Sequence, residues 1–177
     1  MNNLQILAFA TGTILIILFS WFVSIKHGRY HGFPRFVAFE SILLLILLNI
    51  SPWFTKPFSP LQIISWILLG ASILYAVWSL VLFFRHGEPR DHFEDTTKIV
   101  ETGIYKYIRH PMYASLLLLG TGTFLKSISL VTVILALVNL AALFLTCKIE
   151  EKEMIGRFGD EYKSYMKRTR MWIPYLL

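Results

Sequence analysis

Residues 109–151 read RHPMYASLLLLGTGTFLKSISLVTVILALVNLAALFLTCKIEE. Two apolar runs, 112–125 and 128–147, are separated only by Lys126 and Ser127. A two-residue gap between long apolar runs predicts a tight helical hairpin. The hairpin returns the chain to the side it left, so Arg109, His110 and Pro111 are expected beside Glu150 and Glu151. The 14-residue first arm reaches only about 21 Å at 1.5 Å per residue, short of a hydrocarbon core of roughly 30 Å. It therefore starts inside a site rather than at a lipid surface.

Outward from the hairpin, three further apolar runs precede it, at 4–25, 36–50 and 61–84. The second is interrupted by Glu40 and Asn49, and Ser59-Pro60 opens the third, proline suiting a first helical turn. Over the 177 residues, 55% are hydrophobic and only 16% charged, against about 25% charged in a soluble domain. Mean hydropathy is +0.58. Together these exclude a disordered chain and leave no room for a separate soluble domain. Residues 1–177 are expected to form a single domain, an all-α integral membrane protein with five transmembrane helices at about 4–25, 36–50, 61–84, 112–125 and 128–147. The first run lacks a basic leader and a small-residue cleavage site, so it is expected to be retained.

Net charge is +6 and the sequence pI about 9.5. Fifteen of the 17 Lys and Arg fall on alternate connections: the first loop, residues 85–111 and the tail 148–177. By the positive-inside rule these connections are cytoplasmic and the N-terminus is outside. The same asymmetry accounts for the basic pI without nucleic acid. In the tail, Ile155, Phe158, Tyr162 and Tyr165 fall three, four and three apart, which predicts a C-terminal amphipathic helix. Gly156 and Gly159 weaken its continuity.

Chemistry-bearing residues gather in 85–111 and at the head of the tail. Pro111 suits the start of a helix whose free N–H groups and dipole favour an anion. Arg109 reads either as a bidentate clamp or as a membrane-side anchor, and His110 either as a ligand contact or as a cap. Glu150 and Glu151 read either as helix-end solvation or as a carboxylate site for a cationic or hydroxyl-bearing ligand. Glu40, five residues past Arg35, reads either as an intramembrane acid with a function or as one that snorkels or pairs with Arg35 near the interface. His27 and His31 share an i, i+4 spacing, yet no second ligand motif accompanies them, so no metal site is expected. The lone Cys147 excludes an internal disulfide. Neither GxGxxG nor GxxxxGK[ST] occurs, which argues against a soluble nucleotide-binding fold.

Gly103-Ile104-Tyr105, the run Tyr107 to Tyr113, Glu150-Glu151 and Phe158-Gly159-Asp160-Glu161-Tyr162 occur in an order that resembles the isoprenylcysteine carboxyl methyltransferase family. In particular it resembles the short prokaryotic or archaeal members, which are related to phospholipid methyltransferases. The resemblance covers the chain from about Arg90 onward. It implies methyl transfer from S-adenosylmethionine to the carboxylate of a prenylated cysteine, giving a methyl ester and S-adenosylhomocysteine. It also implies a cofactor segment over 85–111, with contacts at Arg90, Lys98, Ile99, Val100, Tyr105, His110, Pro111, Met112, Tyr113 and Glu150. Arg109, Glu150 and Glu151 would be the catalytic residues, and the lipid or lipidated substrate would enter from the bilayer. Larger members carry an arginine one turn before the glutamates, where this chain has Thr146. That departure keeps two alternatives open: a phospholipid amine as acceptor, or an NADPH-dependent sterol or enone reductase.

Overall fold

The computed structural model describes residues 2–88, 94 and 96–174. Six α-helices carry the fold: α1 Asn3–Val23, α2 Gly32–Leu48, α3 Pro60–His86, α4 Pro111–Phe124, α5 Leu130–Phe158 and α6 Asp160–Arg168. Local chemistry sets their ends. Asn2 and Gln5 form a capping box on α1, Ser129 and Thr132 one on α5, and proline opens α3 and α4.

Of the five expected spans, three have helices long and apolar enough to cross a membrane: Asn3–His27, Pro60–His86 and Leu130–Phe158. The protein is thus a multi-pass membrane protein. The segments for the other two are shorter, 17 residues in α2 and 14 in α4. Arg35 lies in the first turn of α2, and α4 opens at Pro111.

Large apolar side chains face outward, among them Ile14, Ile73, Leu74 and Leu130, as expected where lipid is the solvent. The interior is correspondingly rich in small and polar groups. Helix α4 packs on α3 and α5, α2 packs on α5, and α1 packs on α2 at the edge. Gly122 brings α4 so close to α3 that an added Cβ would meet Leu69 Cγ at 3.0 Å. There Ser65 Oγ donates to the Gly122 carbonyl at 2.6 Å. Asn139 Nδ2 donates to the Ala38 carbonyl at 3.1 Å, and Asn49 Nδ2 to the Thr123 carbonyl at 2.9 Å. Such close approaches and interhelical hydrogen bonds substitute for the hydrophobic drive that lipid removes. Lys126, a loop charge in the sequence, is buried with its ammonium 3.2 Å from the Trp66 ring centre, a cation–π contact.

Two expectations are corrected. The tail's apolar stripe does not lie on one helix: α5 runs unbroken through Gly156 to Phe158, and the break comes at Gly159, whose φ is +58°. The apolar stripe is therefore split, with Ile155 and Phe158 on α5 and Tyr162 and Tyr165 on α6. Nor does Glu40 pair with Arg35. Glu40 Oε2 accepts from Thr13 Oγ1 at 3.1 Å, while Arg35 turns to Glu94 and Ser24.

Candidate active site

The hairpin does bring the two polar clusters together. Arg109 donates from Nε and Nη2 to Glu151 Oε1, at 2.9 and 2.8 Å. Its Nη1 donates to the Thr169 carbonyl at 2.6 Å and to the Met166 carbonyl at 3.3 Å. The tail after α6 then lies along residues 107–110. The Arg109 and His110 N–H groups donate to the carbonyls of Arg170 and Met171 at 2.7 and 3.1 Å, and the Arg170 N–H donates to the Tyr107 carbonyl at 2.9 Å. Trp172 Nε1 completes the dock by donating to Cys147 Sγ at 3.2 Å. Arg109 thus ties α5, α6 and the tail into one body.

Adjacent glutamates have separate surroundings because 100° of helix rotation divides them. Glu151 is 3% exposed and meets Arg109, Lys148 at 3.1 Å and His110 Nε2 at 3.5 Å. Glu150 instead lines a cavity, and its Oε2 is buried with no hydrogen-bond partner among the described residues. A buried carboxylate oxygen without a partner is costly, and a ligand donor or cation would relieve that cost.

That cavity, about 70 Å³, is walled by Lys98, Ile99 and Val100 on one side and by Arg109, His110, Pro111, Met112 and Tyr113 on another. Tyr105, Tyr162 and Tyr165 add an aromatic side. The Tyr165 hydroxyl donates to the Tyr105 carbonyl at 2.8 Å and fixes this side. Burial and then the nearby Glu150 carboxylate push the Tyr105 and Tyr162 phenols well above their ordinary range, so the aromatic wall stays neutral. The expected contact Arg90 lies outside the described residues. Glu151 does not line the cavity.

A second cavity of about 290 Å³ lies against the first. Phe83, Thr96, Met112, Tyr113, Glu150 and Met154 line both. The second is largely apolar, with Phe19, Phe39, Leu80 and Leu116 in its wall. Its polar side, Arg29, His31, Arg35 and Glu94, was missed by sequence reasoning, which took the basic residues as membrane-side charges. The available signal was the i, i+4 spacing of His31 and Arg35 at the mouth of an apolar helix, where an inward-facing arginine is a functional candidate by default.

The donor set suits S-adenosylmethionine. The first turn of α4 offers N–H groups to a carboxylate, Glu150 offers an acceptor to a cation or ribose, and the tyrosines offer faces to adenine. Small-molecule pockets run from roughly 300 to 1,000 Å³, so the first cavity alone is narrow. Two flexible methionines, Met112 and Met154, stand in the shared wall and can repack around a ligand. Among the described residues no three His, Cys, Asp or Glu side chains are grouped to hold a metal ion.

Residues 61–161, more than half of the chain, match the phospholipid methyltransferase family. The methanethiol S-methyltransferase of Pseudomonas deceptionensis is 30% identical over 73 residues, 41% of this chain and 27% of that protein. A probable protein-S-isoprenylcysteine O-methyltransferase of Oryza sativa subsp. indica is 32% identical over 90 residues, 49% of this chain and 46% of that protein. The protein-S-isoprenylcysteine O-methyltransferase of Schizosaccharomyces pombe is 32% identical over 77 residues, 43% of this chain and 33% of that protein. The chain spans about a quarter to a half of the length of these relatives. Their names agree with the family resemblance of the motif set, and the match shows that the chain belongs to the phospholipid methyltransferase family.

Proposed function

We propose that the chain is an S-adenosylmethionine-dependent membrane methyltransferase that esterifies the carboxylate of a prenylated cysteine. The observation that carries this reading is Glu150, whose unpartnered Oε2 stands at the wall shared by a polar cavity and an apolar one. Five membrane passes with the site on the cytoplasmic side belong to the same proposal, α2 and α4 being the short ones.

When bound, S-adenosylmethionine supplies a methyl group on a sulfonium that is already a good leaving group. The protein's part is to place and desolvate. The α4 N-terminus at Pro111 and the His110 side chain would hold the amino-acid end. Glu150 would balance the sulfonium, and Tyr105 and Tyr113, which line the same cavity, would close the space around the methyl. In the second cavity the apolar wall takes the lipid tail and leaves the acceptor oxygen toward Tyr113. Methyl transfer to the acceptor would form a C–O bond as the C–S bond broke, with the sulfur keeping the electron pair. Cation and carboxylate neutralise each other, so no proton moves and no general base is required. Arg109 and Glu151 act by holding the tail over the site.

A thiol or amine acceptor is the second reading, since each must lose a proton and Glu150 Oε2 is placed to accept one. The test is transfer of radiolabel from methyl-labelled S-adenosylmethionine by the lipid-reconstituted protein. Label in N-acetyl-S-farnesyl-cysteine as a base-labile ester supports the first reading. Label appearing only in phospholipid or in a small thiol overturns it in favour of the second.

A further inference from the structure

A carboxylate acceptor calls for a cation beside the apolar cavity, and the position one turn before the glutamates does not supply one. In this chain that position is Thr146, fully buried, with its hydroxyl donating to the Ala142 carbonyl at 2.7 Å. The neighbouring cations are committed elsewhere. Lys148 pairs with Glu151 and lines an outer groove rather than either inner cavity, while Arg109 is held by Glu151 and two carbonyls. Helix α5 therefore brings no cation to the apolar cavity.

The N-terminal half does. Arg35, 4% exposed, lines the apolar cavity from the first turn of α2. Its Nη1 pairs with Glu94 and its Nη2 donates to Ser24 Oγ, while its Nε is buried with no hydrogen-bond partner among the described residues. The Phe19 ring stands 5.3 Å from the guanidinium carbon, and the Tyr113 hydroxyl is its neighbour on the shared wall. Glu94 is itself braced by His31, whose Nε2 lies 3.2 Å from Glu94 Oε2 and whose Nδ1 lies 2.6 Å from Glu153 Oε2. The lining thus sets the Arg35 guanidinium, held by Glu94, at the polar side of an otherwise apolar cavity.

We infer that Arg35 binds the carboxylate of the methyl acceptor through its free Nε, with Glu94 and Ser24 fixing the guanidinium and Tyr113 beside the reacting oxygen. This rests on the methyltransferase reading and narrows its acceptor to an anion. It also assigns acceptor recognition to a helix outside the matched region 61–161. A planar guanidinium with two nitrogens already anchored loses little freedom in donating from the third, and a buried orphan N–H gains most from an ionised acceptor.

The test compares the KM of N-acetyl-S-farnesyl-cysteine with the Ki of its unreactive primary amide in lipid nanodiscs. Wild type, Arg35→Met and the double variant Arg35→Met/Glu94→Gln are measured, with S-adenosylhomocysteine affinity in parallel. The wild type is expected to favour the acid at least about tenfold. In both variants that preference falls to about one, while S-adenosylhomocysteine affinity stays within about twofold; tenfold in affinity corresponds to about 1.4 kcal/mol. The double variant leaves no carboxylate stranded, so it separates folding from recognition. A double variant with wild-type KM makes the pair purely structural and overturns the inference alone, as does an acid preference surviving in Arg35→Met. A wild type that labels phospholipid amine and not the acid overturns the carboxylate reading and this assignment together.

Discussion

Removing Arg109 should release the tail and strand a carboxylate. The pair is well buried, with side chains 9% and 4% exposed. Breaking such a pair from one side costs about 3–5 kcal/mol, because the remaining charge is left buried. In Arg109→Met, Glu151 keeps Lys148 at 3.1 Å, a half-exposed partner that offsets part of the loss. The carbonyls of Thr169 and Met166 each lose a charged donor, roughly 1–2 kcal/mol more between them. A net loss of about 3–4 kcal/mol is expected. Glu151→Gln retains an acceptor for Arg109 and should cost about half as much. The double variant should cost less than the sum, with a coupling of about 2 kcal/mol. Equilibrium unfolding in mixed micelles reads the cycle, and trypsin reads the tail at Lys167, Arg168 and Arg170. Additivity within about 0.5 kcal/mol, or a tail equally protected in Arg109→Met, would refute the view that this pair is the tail's anchor.

Three further outcomes are expected. Burial lowers the His31 imidazolium, but Glu153 and Glu94 outweigh it and raise it to about 9 from 6.5. Its contribution is then complete below pH 6.5 and lost as pH rises through 9, about 3 kcal/mol in all; His31→Gln should flatten stability measured between pH 7 and 9.5, and an unchanged slope removes His31 as its source. Glu94 is the mirror case: burial raises it, yet His31 and Arg35 draw it down to about 2, so its contribution is present above pH 4.5 and lost toward pH 2, and Glu94→Gln should flatten the acid limb. Gly103 has φ +58°, and an added Cβ would stand 2.5 Å from Leu82 Cδ1, whereas a Cβ at helical Gly156 meets nothing within 4 Å. Gly103→Ala should therefore destabilise by about 1–2 kcal/mol and Gly156→Ala stabilise by roughly 0.5–1 kcal/mol, opposite shifts that one unfolding series can check.

The hairpin and its consequence were legible because a short turn, residues 125–129 between α4 and α5, leaves the chain no freedom about which side it returns to. What the sequence could not divide was Glu150 from Glu151, since one residue of helix rotation decides which faces Arg109 and which faces the cavity. The continuity of α5 past Cys147 was obscured by the change from apolar to charged residues, which marks departure from lipid and not the end of a helix. Arg35 was misassigned for a different reason. Nearness in sequence suggested Glu40, although a separation of five puts the two residues about 140° apart on a helix, whereas the real partner, Glu94, is 59 residues away, a distance that periodicity does not reach. The tail was legible as apolar and aromatic, but its pairing with residues 107–110 is a backbone contact that side-chain patterns do not encode.

The central claim is that the space between the α4 start and Glu150 binds S-adenosylmethionine. Isothermal titration of S-adenosylhomocysteine into the protein in lipid nanodiscs tests it directly, with NADPH as parallel ligand and Glu150→Gln as comparison. The account predicts saturable one-site binding of S-adenosylhomocysteine, no NADPH binding, and a loss in Glu150→Gln that is larger for the sulfonium-bearing S-adenosylmethionine than for its neutral product. Binding of NADPH instead, or no S-adenosylhomocysteine binding by folded protein, would contradict it.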